Sequence, residues 1–390
     1  MLSDRLRRFA RINCETPYAV FDIEAAEQAY DRHLAAMAPF ARVQFAVKAR
    51  PEPLLLELLS RRGAWLDVSS TAEVRLALAV GCPADRLSHS NVFRSEAEIA
   101  AAFDLGVRMF TFDSAAQLAR LRRCAPGSSV LLRLAVPTGD ARLPMSARFG
   151  CAPTEAVELA VSAAGVGMDV AGLTWHSGSQ QTDPTCWRTA IAEAARVWQD
   201  IAARGVHSLR VLNVGGGMPA AYRDAAVREP EWATVITTAV RDCFGTESPD
   251  VVIEPGRGLV AEAGITVTTV KAVVERADQV FVALDVGIWN AGLTEGAFGA
   301  LEYPVEVIDH PAGRPCRPVV LCGPTCDPQD ELRAANPYLL PASLAPGDRL
   351  IIGSTGAYSA TTMADGFCGY PRLPQHILTA DPALALEVCS

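Results

Sequence analysis

The feature that most constrains this chain is a pattern repeated eight times. A short apolar run rich in β-branched or large aliphatic residues gives way to a polar or glycine-containing turn, then to an Ala/Leu-rich stretch. The apolar runs cover residues 43–47, 65–68, 86–90, 108–112, 129–134, 172–175, 211–214 and 251–253. Between them, apolar residues recur three and four apart, which predicts helices over 52–61, 71–79, 95–103, 114–122, 154–164, 187–204 and 232–244. Eight βα units in about 250 residues predict a closed parallel barrel of the TIM type. A doubly wound sheet is the competing architecture. It ordinarily has fewer strands and a glycine fingerprint after the first, whereas the first of these runs ends at Lys48.

After Gly258 the texture changes. Runs at 265–275, 280–285, 305–308, 318–322 and 349–352 read as strands separated by Pro, Gly and Asp turns, and Ala345-Pro346-Gly347-Asp348 is a clear turn into the last. The expected organisation is a (β/α)8 barrel over 24–262, with residues 1–23 and 263–390 forming a mostly β domain. The run at Tyr18-Ala19-Val20-Phe21-Asp22 is free to join that second domain.

Charge and cysteine usage narrow the function. The formal net charge is −9 with scattered ions, which gives no electrostatic case for nucleic acid or an anionic membrane. The 11 cysteines show no CxxC pair and no Cys/His cluster at metal-ligand spacing, so the expectation is reduced thiols in a cytoplasmic protein without a metal. The first eight residues carry charge but no apolar region behind it, unlike a secretory signal. The most apolar long stretch, 251–273, is interrupted by Glu254, Arg257, Glu262 and Lys271, so no membrane span is expected.

A TIM-type barrel draws its catalytic residues from the C-terminal ends of its strands. Here those ends carry Lys48, Asp67, Asn91, Asp113, Arg133, His176, Gly215-Gly216-Gly217 and Glu254. Each has a structural reading too. Lys48 reads as a snorkelling surface lysine, His176 as a core histidine, and Asp67, Asp113 and Ser114 as helix caps. Two endings resist that reading. Three adjacent glycines place bare backbone where the chain turns sharply or meets a ligand, and their N–H groups can cradle phosphate oxygens. Glu254-Pro255-Gly256-Arg257 adds a carboxylate at a strand tip and a guanidinium whose fork suits a phosphate. Loops after strands seven and eight are the common phosphate site of these barrels. A lysine, an imidazole, a carboxylate and a phosphate cradle on one rim suggest pyridoxal 5'-phosphate (PLP), held by a Schiff-base lysine and activated by a carboxylate at the pyridine nitrogen.

Nine motifs in order extend this across nearly the whole chain. They are Phe45-Ala46-Val47-Lys48, Asp67-Val68-Ser69-Ser70 with Glu73, Met109-Phe110-Thr111-Phe112-Asp113-Ser114, His176-Ser177-Gly178-Ser179, the glycine run with Met218-Pro219, and Glu254-Pro255-Gly256-Arg257. Gly323-Pro324-Thr325-Cys326-Asp327, Gly356-Ala357-Tyr358-Ser359 and Phe367-Cys368-Gly369-Tyr370 complete them. On these residues the chain resembles the fold-type III PLP-dependent amino-acid decarboxylases, their ornithine decarboxylase branch above all.

The resemblance implies an alanine racemase-like barrel, a C-terminal β domain and a homodimer with shared active sites. It implies that Lys48 holds PLP, His176 stacks on the ring and Glu254 meets the pyridine nitrogen. Ser179, Gly216, Gly217, Gly256, Arg257 and Tyr358 would bind the phosphate, and Asp67 and Arg133 would support the cofactor. Cys326 would return a proton to Cα, and with Asp327 it would reach the neighbouring subunit's site. Asp285, Asp327, Tyr358 and Phe367 would contact substrate, Asp285 at its distal end.

Departures from the family pattern lie at Arg50, where asparagine is usual, in a longer insertion at 142–150, and in the Gly/Ala-rich segment 288–303. The expected reaction is decarboxylation of a basic amino acid such as ornithine or lysine. A larger amino-acid conjugate of siderophore or antibiotic assembly is the alternative substrate. A racemase on the same barrel and a non-catalytic regulatory paralogue are the alternative functions.

Overall fold

The computed structural model describes residues 3–13, 15–224, 226–246, 248–309, 313–380 and 387–388. They fall into two compact units, one of Ala29–Pro219 with Val227–Gly258 and one of Met1–Gln28, Ala220–Ala226 and Leu259–Ser390. In chain order the elements begin with α1 (Asp4–Ile12), β1 (Tyr18–Asp22) and α2 (Ile23–Met37). There follow β2 (Ala41–Ala46), α3 (Pro53–Arg61), β3 (Trp65–Val68), α4 (Thr71–Ala79), β4 (Leu87–His89), α5 (Glu96–Asp104), β5 (Met109–Phe112) and α6 (Ala115–Cys124). Then come β6 (Ser129–Arg133), α7 (Pro153–Gly165), β7 (Asp169–Thr174), α8 (Thr185–Ala203), β8 (Val211–Asn213), α9 (Glu229–Phe244), β9 (Asp250–Ile253) and α10 (Arg257–Val260).

Strands β2–β9 form the expected closed parallel barrel, β9 returning to β2 with Val251 opposite Ala41. Parallel strands covered by helices are buried on both faces, which is why the runs read as nearly continuous apolar segments. Helix starts are set by local chemistry. Ser70, Ser95 and Ser114 each accept a hydrogen bond from the backbone N–H three residues on, and Pro53 and Pro153 open their helices.

Strand periodicity then decides what reaches the barrel mouth. Leu131, Val211 and Val252 pack in one apolar cluster with Ala171. Two residues further along the chain, Arg133 and Asn213 end β6 and β8 on the same faces and Glu254 stands just past β9. The chain switches from apolar filling to chemistry within one strand period.

The second unit is built on a sheet of ten described strands. Its long strand β10 (Gly264–Arg276) pairs antiparallel with β1, with β11 (Gln279–Leu284) and with β16 (Arg349–Gly353). The remaining strands are β12 (Val305–Val307), β13 (Cys316–Cys322), β14 (Glu331–Leu332), β15 (Tyr338–Pro341), β17 (Gln375–Leu378) and β18 (Glu387–Val388). Helix α1 lays Leu6 and Ala10 onto Tyr18, Val20, Ile265, Val267 and Ile351. No described helix is long and apolar enough to cross a membrane.

Candidate active site

Strand β2 ends at Ala46, and residues 47–49 close a single 3-10 turn that carries Lys48 off the strand end. Its Nζ donates to Asp67 Oδ2 at 3.0 Å. Asp67 is fully buried on β3, in register with Ala46, and its Oδ1 accepts no hydrogen bond. The capping reading of Asp67 is corrected here. Ser70 Oγ accepts from Glu73 N (3.2 Å), while Glu73 Oε2 accepts from Ser69 N (2.6 Å). With α4 capped by others, Asp67 is left to the lysine. Asp113 does not cap its helix either: it accepts from Gly150 N at 2.9 Å, and Ser114 is the cap. Asn91 bridges Ser69 O and Phe93 N, a loop-shaping role.

Glu254, just past β9, is the most perturbed carboxyl of the rim. Burial pushes its pKa up to about 7, reinforced by the Asp67 carboxylate and opposed by Lys48, Asn213 and Arg133. Asn213 Nδ2 donates to Glu254 Oε1 at 2.6 Å. The same amide's Oδ1 accepts from Gly215 N at 2.9 Å, and Glu254 N donates to Gly215 O at 2.8 Å. Sequence reasoning passed over Asn213. The signal was its parity, since it lies on the inward face two residues beyond Val211 and two before the glycines.

His176 follows β7. Its Nδ1 accepts from Gly178 N at 3.0 Å, so a neutral ring carries its proton on Nε2. Burial, with Arg133 and Lys48 nearby, pulls its pKa down to about 3. Burial also lowers the pKa of Arg133, whose guanidinium lies 4.7 Å from the Phe149 ring centre.

The loops after β7, β8 and β9 meet as a cradle. Arg257, itself buried, donates from Nε to Ser179 Oγ at 3.2 Å, and Gln181 N donates to Gly217 O at 3.0 Å. A Cβ at Gly216 would stand 2.7 Å from Glu254 O and 3.2 Å from His176 Nε2. At Gly217, where φ is +110°, it would stand 2.4 Å from Gly178 O. Only glycine fits either place. Gly256 is buried beside Arg257. Arg50 lies two residues past Lys48, buried, with Nη2 3.7 Å from Glu52 Oε2, and burial lowers its pKa to about 10.

The other predicted residues belong to the second unit. Tyr358 adopts a left-handed conformation at φ +63°. Cys326 is exposed, and Asp327 Oδ1 accepts from Gln329 N at 2.7 Å. Phe367 packs on Trp289 with ring centres 4.9 Å apart. Asp285, expected at the distal end of the substrate, is hydrogen-bonded within its own unit. Its Oδ1 accepts from Thr268 Oγ1 (2.5 Å) and Thr269 N (3.0 Å), and its Oδ2 from Thr16 Oγ1 (2.8 Å). That carboxylate is committed to tying β10, β11 and the segment before β1 together. Asp330, which the sequence did not flag, is buried and accepts from Ile288 N, Thr325 N and Thr325 Oγ1, so it anchors the loop bearing Cys326.

These features suit a phosphorylated pyridine aldehyde. The Asp67 Oδ1 acceptor is open, Glu254 is poised at neutral pKa, and the glycine backbone runs under an arginine. Residues 21–261 match the family described as pyridoxal-dependent decarboxylase, pyridoxal binding domain. The chain belongs to the PLP-dependent decarboxylases of fold-type III, and PLP is its cofactor. It is 29% identical over 380 residues to the lysine/ornithine decarboxylase of Selenomonas ruminantium, covering 96% of this chain and 92% of that protein. It is 31% identical over 347 residues to the ornithine decarboxylase of Panagrellus redivivus, covering 84% and 78%. A solved lysine/ornithine decarboxylase from Vibrio vulnificus, complexed with cadaverine, superposes with a TM-score of 0.86 at 29% identity, covering 97% of this chain and all of that one.

Proposed function

We propose that this decarboxylase acts on a basic amino acid, ornithine or lysine first, and releases the diamine and CO2. The observation that carries the reading is a lysine paired to a buried aspartate on the same barrel rim as a glutamate that burial raises to a pKa of about 7 and that Asn213 hydrogen-bonds. The names of the relatives and the cadaverine in a solved neighbour support the substrate class.

In this reading Lys48 holds PLP covalently. Bound there, PLP would supply an electron-withdrawing ring able to stabilise negative charge at Cα. Glu254 keeps a proton at the ring nitrogen, and Asn213 aims its Oε1. His176 offers a neutral face to the ring, and Asp67 and Arg133 orient it by hydrogen bonds. Ser179, Gly216, Gly217, Gly256, Arg257 and Tyr358 bind the phosphate. Cys326 returns a proton to Cα. Asp327 receives the distal ammonium, with Tyr358 and Phe367 beside it. Cys326 and Asp327 serve a neighbouring copy's site, so the working form is a homodimer, and the irregular cysteine spacing without a CxxC pair supports a cytoplasmic protein.

The test is CO2 release from ornithine, lysine, arginine and diaminopimelate with added PLP. We expect ornithine or lysine to exceed the others by at least about tenfold in kcat/KM, because a site for a primary distal ammonium leaves the guanidinium of arginine and the second carboxylate of diaminopimelate poorly matched. A second reading is a larger conjugate from siderophore or antibiotic assembly. It is favoured by Asp285, whose oxygens are taken by three internal donors. Turnover of such a conjugate, with none of any basic amino acid, selects it and rejects the first.

A further inference from the structure

Cys326 Sγ lies 3.9 Å from Cys368 Sγ, although the two residues are 42 positions apart in the sequence. Both are exposed, and two independent loops hold them there. The first loop is pinned beneath by Asp330, whose carboxylate takes Thr325 N and Oγ1 and whose carbonyl takes Gly323 N at 2.7 Å. The second is a tight turn in which Gly366 N donates to Tyr370 O at 2.9 Å and Tyr370 N to Phe367 O at 3.0 Å. Tyr370 Oη then donates to Pro324 O at 3.2 Å and fastens the second loop to the first. Cys368 itself sits at φ +51°, a region sparsely used by residues with a side chain, between Gly366 at +81° and Gly369 at +79°. A turn that accepts this conformation at a cysteine directs one thiol at another.

Among the described residues, several other thiols are set apart from this pair. Burial pushes Cys151 and Cys186 up to about 12 and Cys322 up to about 11, which keeps them protonated and slow to react. Cys316 is exposed but directed at Arg314 O. A disulfide needs its sulfurs about 2.05 Å apart, so closure asks the Cys326–Cys368 pair for about 2 Å of approach.

We propose that Cys326 and Cys368 form a thiol–disulfide couple that low-molecular-weight disulfides oxidise, withdrawing the Cys326 thiol from the reaction. This rests on the reading of Cys326 as the proton carrier to Cα. The Cys326 thiolate attacks one sulfur of the small disulfide; a Cys326–S–S–R bond forms and the first R–S⁻ leaves. The Cys368 thiolate then attacks Cys326 Sγ; the intramolecular bond forms and the second R–S⁻ leaves. The two protein sulfurs lose two electrons, the small disulfide gains them, and the two cysteine protons end on two R–SH molecules.

The test treats the PLP-loaded enzyme with oxidised glutathione, then follows activity and maps peptides by mass. We expect a linked peptide holding Cys326 and Cys368, two hydrogens lighter than its reduced halves, with activity down at least tenfold and restored by dithiothreitol. Cys368→Ser should keep full activity when reduced, yield no linked peptide, and carry glutathione on Cys326 instead. No linked peptide in the wild type, while Cys326→Ala is impaired, overturns the couple and leaves the catalytic reading standing. A linked peptide with undiminished activity overturns the switch and places the failure in the catalytic role given to Cys326.

Discussion

Asn213 donates to Glu254 Oε1 at 2.6 Å and with its other amide atom accepts from Gly215 N at 2.9 Å. One side chain thus couples the carboxyl proposed to meet the ring nitrogen to the first glycine of the proposed phosphate cradle. The Asn213 hydrogen bond favours the ionised form of Glu254, while burial and Asp67 favour the neutral one, and the balance falls near 7. Asn213→Ala should raise the Glu254 pKa further and move the acid limb of the kcat/KM profile to higher pH. It should also weaken cofactor retention, read as PLP lost on dialysis. An unchanged acid limb would remove Asn213 from the site.

Glu254→Gln should separate stability from activity. The folded pKa of this carboxyl is raised above its ordinary value of 4.5, to about 7. The cofactor-free chain therefore has the carboxyl's contribution in full below pH 4.5 and loses it as pH rises through 7. The uncharged glutamine should leave stability little changed at pH 4.5 and raise it by about 1–3 kcal/mol at pH 8. Loss of the proton-holding group should lower kcat by about 10²–10⁴-fold. Denaturant melts of the cofactor-free protein at both pH values, beside kcat, check both halves.

How much of this was legible follows from where each residue stands. The barrel could be read because strands covered on both faces and helices with one apolar face leave distinct periods. Lys48, Arg133, His176 and Glu254 could be read because they interrupt apolar runs at strand ends. The internal partners of Asp285 could not, since spacing does not tell which way a carboxylate turns, and Thr16, which donates to it, is 269 positions away. Strands β14, β15 and β17 were missed for a different reason. They are two to four residues long, too short for alternation to declare itself.

His176 should be silent in the pH profile. Its pKa is drawn from 6.5 to about 3, so the folded protein keeps the ring neutral while the unfolded chain protonates below 6.5. Its contribution to stability is present above pH 6.5 and falls as pH drops toward 3. His176→Asn should lessen that acid sensitivity and remove no limb between pH 6 and 7 from kcat/KM. Nitrogen NMR at pH 5 should show a neutral ring protonated at Nε2; an imidazolium signal there would contradict the geometry.

Lys48 is one of two lysines in the chain, the other being Lys271. Borohydride reduction of the PLP-loaded enzyme should therefore modify Lys48 and spare Lys271, which donates to Tyr370 Oη at 3.3 Å. Lys48→Ala removes the cation from fully buried Asp67. The cofactor-free protein should lose about 1–3 kcal/mol, less than for a wholly buried pair because the lysine head is itself open to water. Modification of Lys271 instead would move the cofactor off the barrel.

Asp285 and Asp327 should part company under mutation. Asp285 holds three donors from β10 and the segment before β1, so Asp285→Ala strands the Thr268 hydroxyl and the Thr269 backbone N–H and leaves Thr16 only its Thr269 hydroxyl partner. That should cost about 1–3 kcal/mol of stability. It should change KM for a basic substrate by less than about twofold, because uniform binding energy is lost only where substrate is touched. Asp327→Asn, by contrast, should leave the melt unchanged and raise KM by about tenfold or more, the loss of one charge-assisted contact. A tenfold rise in KM for Asp285→Ala at unaltered Tm would return the distal contact to Asp285, and with it the expectation drawn from the sequence.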